Sequence, residues 1–97
     1  MKKLALIFLI LLGIANAKIN LEVESTVIRK NQSAIIYAQS DKPSILSIYD
    51  NTGKITFSAI NIGNNVYKVQ LQKKGIYIII LKEQETSQLK RVILVLP

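Results

Sequence analysis

The sequence offers few side chains that could catalyse a reaction. It contains no histidine and no cysteine, which removes the commonest general base, thiolate nucleophiles and cysteine-based zinc sites. Two carboxylates can hydrolyse a glycosidic bond, and Glu22 and Glu24 share one face of a predicted strand. Because Leu21 and Val23 occupy the opposite face, the two glutamates are expected to face solvent. No G-x-S-x-G elbow for a serine nucleophile is present, so the residues predict a protein that is not an enzyme.

A second candidate site is the segment Asp50-Asn51-Thr52-Gly53, which superficially suggests a calcium-binding loop. The further ligands and the terminal glutamate of such a loop are missing. Gly53 can adopt the positive φ that ends a tight hairpin loop. The segment is therefore expected to be a turn without a metal, and no cofactor or small-molecule substrate is predicted.

The first seventeen residues have the three parts of a secretory signal peptide. Lys2 and Lys3 provide a positive start, Leu4–Ile14 is an apolar run, and Ala15-Asn16-Ala17 has the small residues of a cleavage site. The run is shorter than the about 20 residues of a membrane-spanning helix. We expect cleavage after Ala17, no stable membrane insertion, and a single domain of residues 18–97 in the periplasm, at the cell surface or outside the cell.

The mature chain is basic. The 13 basic residues fall to 11 when Lys2 and Lys3 are removed, which against 6 acidic residues leaves a charge of +5. These charges are scattered singly or in pairs, so they favour a role in solubility and in protecting strand edges. Attraction to an anionic surface is the alternative. Tyr67 and Tyr77 lie within apolar alternation and are expected to pack in the core with their hydroxyls at its rim; no nucleic-acid partner is predicted.

Apolar and polar residues alternate with a period of two along the mature chain, which predicts strands. Turn residues at 50–53, 63–65, 73–75 and 83–87 separate several of them. The continuous apolar run Ile76–Leu81 predicts a central strand that is covered on both faces. Seven or eight short strands indicate an all-β sandwich or small barrel, with strands at 19–24, 26–29, 34–38, 44–49, 55–60, 67–72, 76–81 and 89–96.

Three motifs in the second half of the chain occur in a recognisable order. An apolar strand ends in Tyr49-Asp50 and a turn closed by Gly53-Lys54; Lys74-Gly75-Ile76-Tyr77 follows, and Lys90-Arg91-Val92-Ile93 comes near the end. This order resembles the type A C-terminal sorting domain of the type IX secretion system of Bacteroidetes, over roughly residues 27–95.

The resemblance implies an immunoglobulin-like antiparallel β-sandwich with an assigned place for each motif. It implies that Gly53 closes a hairpin, that Gly75 leads into the central strand and that Tyr77 anchors the core. Lys90 and Arg91 would lie on the last strand, where the export machinery recognises the family's domain.

Two departures from the family leave two functions open. Where the family has Pro-Asn-Pro, this sequence has Lys30-Asn31-Gln32, and the family's domain follows a large passenger that is not expected here. One interpretation is a sorting module, truncated or diverged, that a secretion translocon recognises through the C-terminal strands. The other is a free-standing binding, adhesion or structural protein, similar to small secreted Bacteroidetes proteins. Both predict a protein partner.

Overall fold

The computed structural model describes residues 19–83 and 87–97 of the chain. The predicted signal peptide and most of the predicted 83–87 loop lie outside this range. The described residues form strands and no helix, so none of them belongs to a helix that could cross a membrane. The predicted all-β fold is confirmed. The strands are β1 (Ile19–Val23), β2 (Val27–Arg29), β3 (Ser33–Tyr49), β4 (Ile55–Gln70), β5 (Gly75–Glu83) and β6 (Ser87–Leu96).

All six strands belong to one curled sheet built around β3. On one side β3 pairs with β4 along most of its length. On the other side its first half pairs with β1, through Ile36–Ser40, and its second half pairs with β5, through Ile45–Tyr49. Next to β5 comes β6, antiparallel, and β2 then pairs with β6 in parallel.

This pairing folds the sheet into two layers. We call the first layer β1 with the first half of β3 and the second half of β4. The second layer contains the first half of β4, the second half of β3, and then β5, β6 and β2. Because β1 contacts β5 and β6 without pairing with them, the two layers lie face to face.

A bulge in the β3–β4 hairpin produces the bend between the layers. Ser40 pairs with Gly63 and Ser44 pairs with Asn61, so three residues of β3 stand opposite Ile62 alone. Bulges bend a strand and increase its local twist. Gly63 has a φ of 78°, which glycine adopts at little steric cost.

The bulge also explains why six strands are seen where the pattern predicts seven or eight. The predicted strands 34–38 and 44–49 are the two halves of β3, and 55–60 and 67–72 correspond to the two halves of β4. The predicted turn at 63–65 is the bend within β4.

The core between the layers consists of alternate side chains, as the period of two predicts. Seven apolar side chains there have no solvent exposure: Leu21, Ile36, Leu46, Ile48, Ile79, Leu81 and Ile93. Burying each such side chain stabilises the fold by about 1.5–3 kcal/mol. Since the chain contains no cysteine, this packing has no disulfide to support it.

Candidate recognition surface

The strand β5 has a buried face and an exposed apolar face. Tyr77, Ile79 and Leu81 point into the core, so Ile76 and Ile78 point outward. These two isoleucines are 50% and 37% exposed. The predicted central strand is therefore central in its pairing, but the prediction that both faces are covered is wrong for the outer face.

The neighbouring strands extend this exposed surface. Ile78 pairs with Val92 of β6 and with Tyr49 of β3, while Ile76 pairs with Leu94. Leu94 in turn pairs with Val27 of β2. We call these six residues the outer apolar face: Val27, Tyr49, Ile76, Ile78, Val92 and Leu94. Large contiguous apolar patches on soluble proteins mark interaction sites.

The outer face of the first layer has a different composition. Its exposed side chains mix polar, charged and aromatic groups with a single aliphatic one among them: Asn20, Glu22, Tyr37, Gln39, Val66 and Lys68. An ordinary antiparallel sheet packs one face on the core and presents a polar face to water. The first layer follows this rule and the second layer departs from it, which makes the second layer the candidate recognition surface.

Four of the residues singled out in the sequence line one shallow groove on this surface. Tyr49, Asp50 and Gly53 form one side of it. Lys90 lies on the other side, and the floor contains Ile76, Ile78 and Ile80. The fold thus brings the Tyr-Asp-x-x-Gly motif next to the last strand, although about forty residues separate them in the sequence.

Asp50 holds the β3–β4 turn together. Its Oδ1 accepts hydrogen bonds from the Thr52 hydroxyl at 2.6 Å, the Thr52 amide at 2.9 Å and the Lys54 amide at 3.0 Å. The Thr52 hydroxyl bond, with the Lys54 amide next, lowers the pKa of Asp50 below its ordinary 3.8. Gly53 has a φ of 87° and donates its amide to the Asp50 carbonyl. The segment is the predicted turn, and no three His, Cys, Asp or Glu residues of the described chain cluster as metal ligands would.

Lys54, Gly75 and Tyr77 lie beside this turn. Asp50, Lys54 and Tyr77 line a second groove adjacent to the first. A Cβ added at Gly75 would stand 3.7 Å from Nδ2 of Asn51, so the start of β5 passes close to the turn. Gly75 also has a φ of 133°, a conformation that favours glycine. The Tyr77 ring is 5% exposed and its hydroxyl donates to the Lys73 carbonyl at 2.8 Å.

Arg91 is separated from the other candidate residues. Neighbouring residues on a strand face opposite ways, so Lys90 is exposed on the side of the outer apolar face while Arg91 faces inward and is half-buried. Arg91 Nη2 lies 3.9 Å from Glu22 Oε2, which links β6 to β1 at the edge of the core. An ion pair this exposed contributes about 0–1 kcal/mol.

A buried polar cluster at the bend is the structural feature that the sequence reasoning missed. Asn61 has no solvent exposure. Its Nδ2 donates to Ser40 Oγ at 2.9 Å, and its Oδ1 accepts from Tyr67 Oη at 2.8 Å and from Asn65 Nδ2 at 2.9 Å. Ser44 Oγ lies 2.9 Å from Ser40 Oγ. The period of two could have predicted this cluster, because it places these residues on the core faces of β3 and β4.

Comparison with known proteins assigns no function to this surface. A scan against protein-family models finds no match, and a search of curated proteins finds no relative. The resemblance to sorting domains therefore rests on the motifs of this chain alone.

Proposed function

We propose that this chain is an exported, non-catalytic β-sandwich module of immunoglobulin-like architecture, which a protein partner recognises through the outer apolar face. The observation that carries the proposal is the exposure of four large aliphatic side chains on adjacent strands: Ile76, Ile78, Val92 and Leu94. A partner that covers these side chains gains about 25 cal/mol of binding free energy for every Å² of apolar surface it buries.

The position of the face supports a sorting role. The outer apolar face lies mainly on β5 and β6, the two C-terminal strands, and the sorting-domain resemblance assigns recognition to the same part of the chain. Lys90, singled out on that ground, lines the groove on this face. The secretion translocon is accordingly the proposed partner.

A free-standing binding or structural protein is the second candidate. It is favoured by β4, whose second side pairs with no strand of the described residues, because an open sheet edge can accept a strand from another chain. Such a protein would be exported through its signal peptide and remain in the periplasm or at the surface without requiring type IX recognition.

Localisation of a matched pair of variants tests the sorting role. Val92 and Val66 are 51% and 63% exposed, the first on the outer apolar face and the second on the outer side of the first layer. Val92→Lys and Val66→Lys therefore add the same charge at strand positions of similar exposure. Both would be expressed as the full chain in a type IX-competent Bacteroidetes strain, located by fractionation and sequenced at the N-terminus.

The sorting role predicts that the native chain and Val66→Lys reach the surface or medium, while folded Val92→Lys stays in the periplasm. Export of Val92→Lys at the native level would show that the outer apolar face is not recognised. If all three stay in the periplasm, starting at Lys18, the second candidate replaces the first.

A further inference from the structure

The strand β4 presents a long unpaired edge. It pairs with β3 on one side, and none of the strands in residues 19–83 and 87–97 pairs with its other side. At alternate residues the backbone N–H and C=O groups on that side therefore have no ladder partner, and an added strand would satisfy them.

The edge of β4 lacks the charged side chains and the proline that usually protect an edge. Natural edges are kept apart by short strands, charged side chains, proline or bulges. The short strands β1 and β2 carry Glu22 and Arg29, whereas β4 has sixteen residues and no charge or proline between Lys54 and Lys68. It has two irregularities, the bend at Gly63 and a bulge where Thr56 lies between the pairs Ile48–Phe57 and Tyr49–Ile55. Between them, Phe57–Ile60 is a regular segment free of charge.

We propose that the segment of β4 centred on Ser58 pairs antiparallel with the same segment of a second copy of this chain. An antiparallel pair of identical strands has two-fold symmetry, so one segment serves as both partners and the assembly closes as a dimer. The segment itself is uncharged, so the pairing avoids like charges directly opposite each other although each mature chain carries a net positive charge.

The alternation of β4 allows registers that centre on a residue, and the one centred on Ser58 lies within the regular segment. Phe57 and Ala59 face the core, and Thr56, Ser58 and Ile60 face outward. Residues directly opposite in a sheet must face the same side. Pairing Ser58 with Ser58 satisfies this condition and places Ile60 opposite Thr56, two β-branched side chains that pack well across strands. The second layers of the two copies would then form one continuous sheet. This inference does not depend on the sorting role.

Sedimentation measurements on charge variants test the pairing. The full chain, recovered from an exporting host, should sediment as a dimer. Ser58→Lys places two like charges opposite each other and should sediment as a monomer with an unchanged circular dichroism spectrum. Val66→Lys adds the same charge to β4 beyond the bend and should remain a dimer. A native chain that is monomeric at its highest soluble concentration, or a Ser58→Lys protein that remains dimeric, would overturn the proposal.

Cysteine cross-linking tests the register, because the natural chain contains no cysteine. Opposed residues have Cβ atoms about 4.5–5.5 Å apart, close to the span of a disulfide. Ser58→Cys should therefore form a covalent dimer under mild oxidation. Thr56→Cys is the control, since its two thiols would lie about 13 Å apart in this register. Equal cross-linking of the two variants, or none from Ser58→Cys, would contradict the Ser58-centred pair.

Discussion

The rings of Phe57 and Tyr67 meet edge to face, with centroids 6.1 Å apart and an interplanar angle of 67°, although both residues lie on β4. They can meet because the strand bends between them, which brings Phe57 from the second layer and Tyr67 from the first. Such a pair contributes about 0.5–1.5 kcal/mol beyond its buried area. The bend at Asn61 and Gly63 therefore closes the core on the side of β4.

The polar cluster at this bend should be one of the most sensitive positions in the molecule. Asn61→Ala removes the acceptor of Tyr67 Oη and one of the three partners of Ser40 Oγ, which keeps its bonds to Ser44 Oγ and to the backbone carbonyl of residue 61. Leaving a buried polar group unpaired costs about 1–3 kcal/mol, so we expect a loss of about 1–3 kcal/mol in the free energy of unfolding. Urea titration followed by circular dichroism measures it.

Asn64→Ala is the control for that substitution. Asn64 is exposed and lies in the same bend, so its removal should change the free energy of unfolding by less than about 0.5 kcal/mol. Equal losses for the two variants would show that the Asn61 hydrogen bonds do not hold the bend.

Ionisation of Tyr67 should lower the stability of the fold at alkaline pH. Desolvation raises the pKa of its hydroxyl above the ordinary 10.0, so the folded state favours the neutral form that donates to Asn61. The contribution of the neutral Tyr67 hydroxyl to stability is complete below pH 10.0 and is lost as the pH rises through the higher pKa of the folded state. Tyr67→Phe should cost about 1 kcal/mol at neutral pH, and its difference from the native chain should narrow above pH 10. A difference that is independent of pH in denaturant titrations would contradict this role.

Protonation of Asp50 should destabilise the β3–β4 turn at acid pH. Its pKa is lowered in the fold, so its stabilising hydrogen bonds are complete above the ordinary 3.8 and are lost as the pH falls through the lower folded value. Asp50→Ala should melt at a lower temperature than the native chain at pH 7, and the two should converge in acid. Asp41→Ala, at an exposed carboxylate in the β3 bulge, should melt like the native chain at both pH values. Equal melting temperatures at pH 7, or a difference that persists in acid, would contradict the role of the Asp50 carboxylate in the turn.

Removal of the last strand should unfold the domain. Deleting residues 89–97 removes Ile93 and Val95, which are 0% and 1% exposed, and leaves β5 paired with β3 alone. The two side chains alone account for about 3–6 kcal/mol, comparable to the entire stability of a small domain. The shortened chain should show no cooperative thermal transition. A cooperative transition would mean that β6 is dispensable for the fold.

Much of the fold could be predicted because its core obeys a simple period of two. Leu21, Ile36 and Leu46 face inward as the alternation requires, and Gly53 ends a turn where the turn residues indicate one. The continuity of β3 through Asp41–Pro43 could not be predicted. A proline and a charged pair normally indicate a break, and here the pairing resumes after a bulge that β4 accommodates with Gly63.

The candidate surface could be predicted less well than the fold. Ile76 and Ile78 belong to a continuous apolar run, and such a run has the same pattern whether a second layer or a separate partner covers the outer face. The approach of Lys90 to Tyr49 and Asp50 depends on the curl of the sheet, which follows from pairing between distant strands. The sequence therefore pointed to these residues only through the family resemblance, because nothing in the pattern predicts that they lie close together.

Photo-crosslinking in the native host tests the outer apolar face most directly. A photoreactive phenylalanine analogue would replace Val92 in one chain and Val66 in another, so that the two probes sit at similarly exposed positions on opposite layers. We predict that the probe at 92 forms a covalent adduct with one specific envelope protein and that the probe at 66 does not. The same adduct from both positions, or no adduct from 92 in an exporting cell, would contradict recognition through this face.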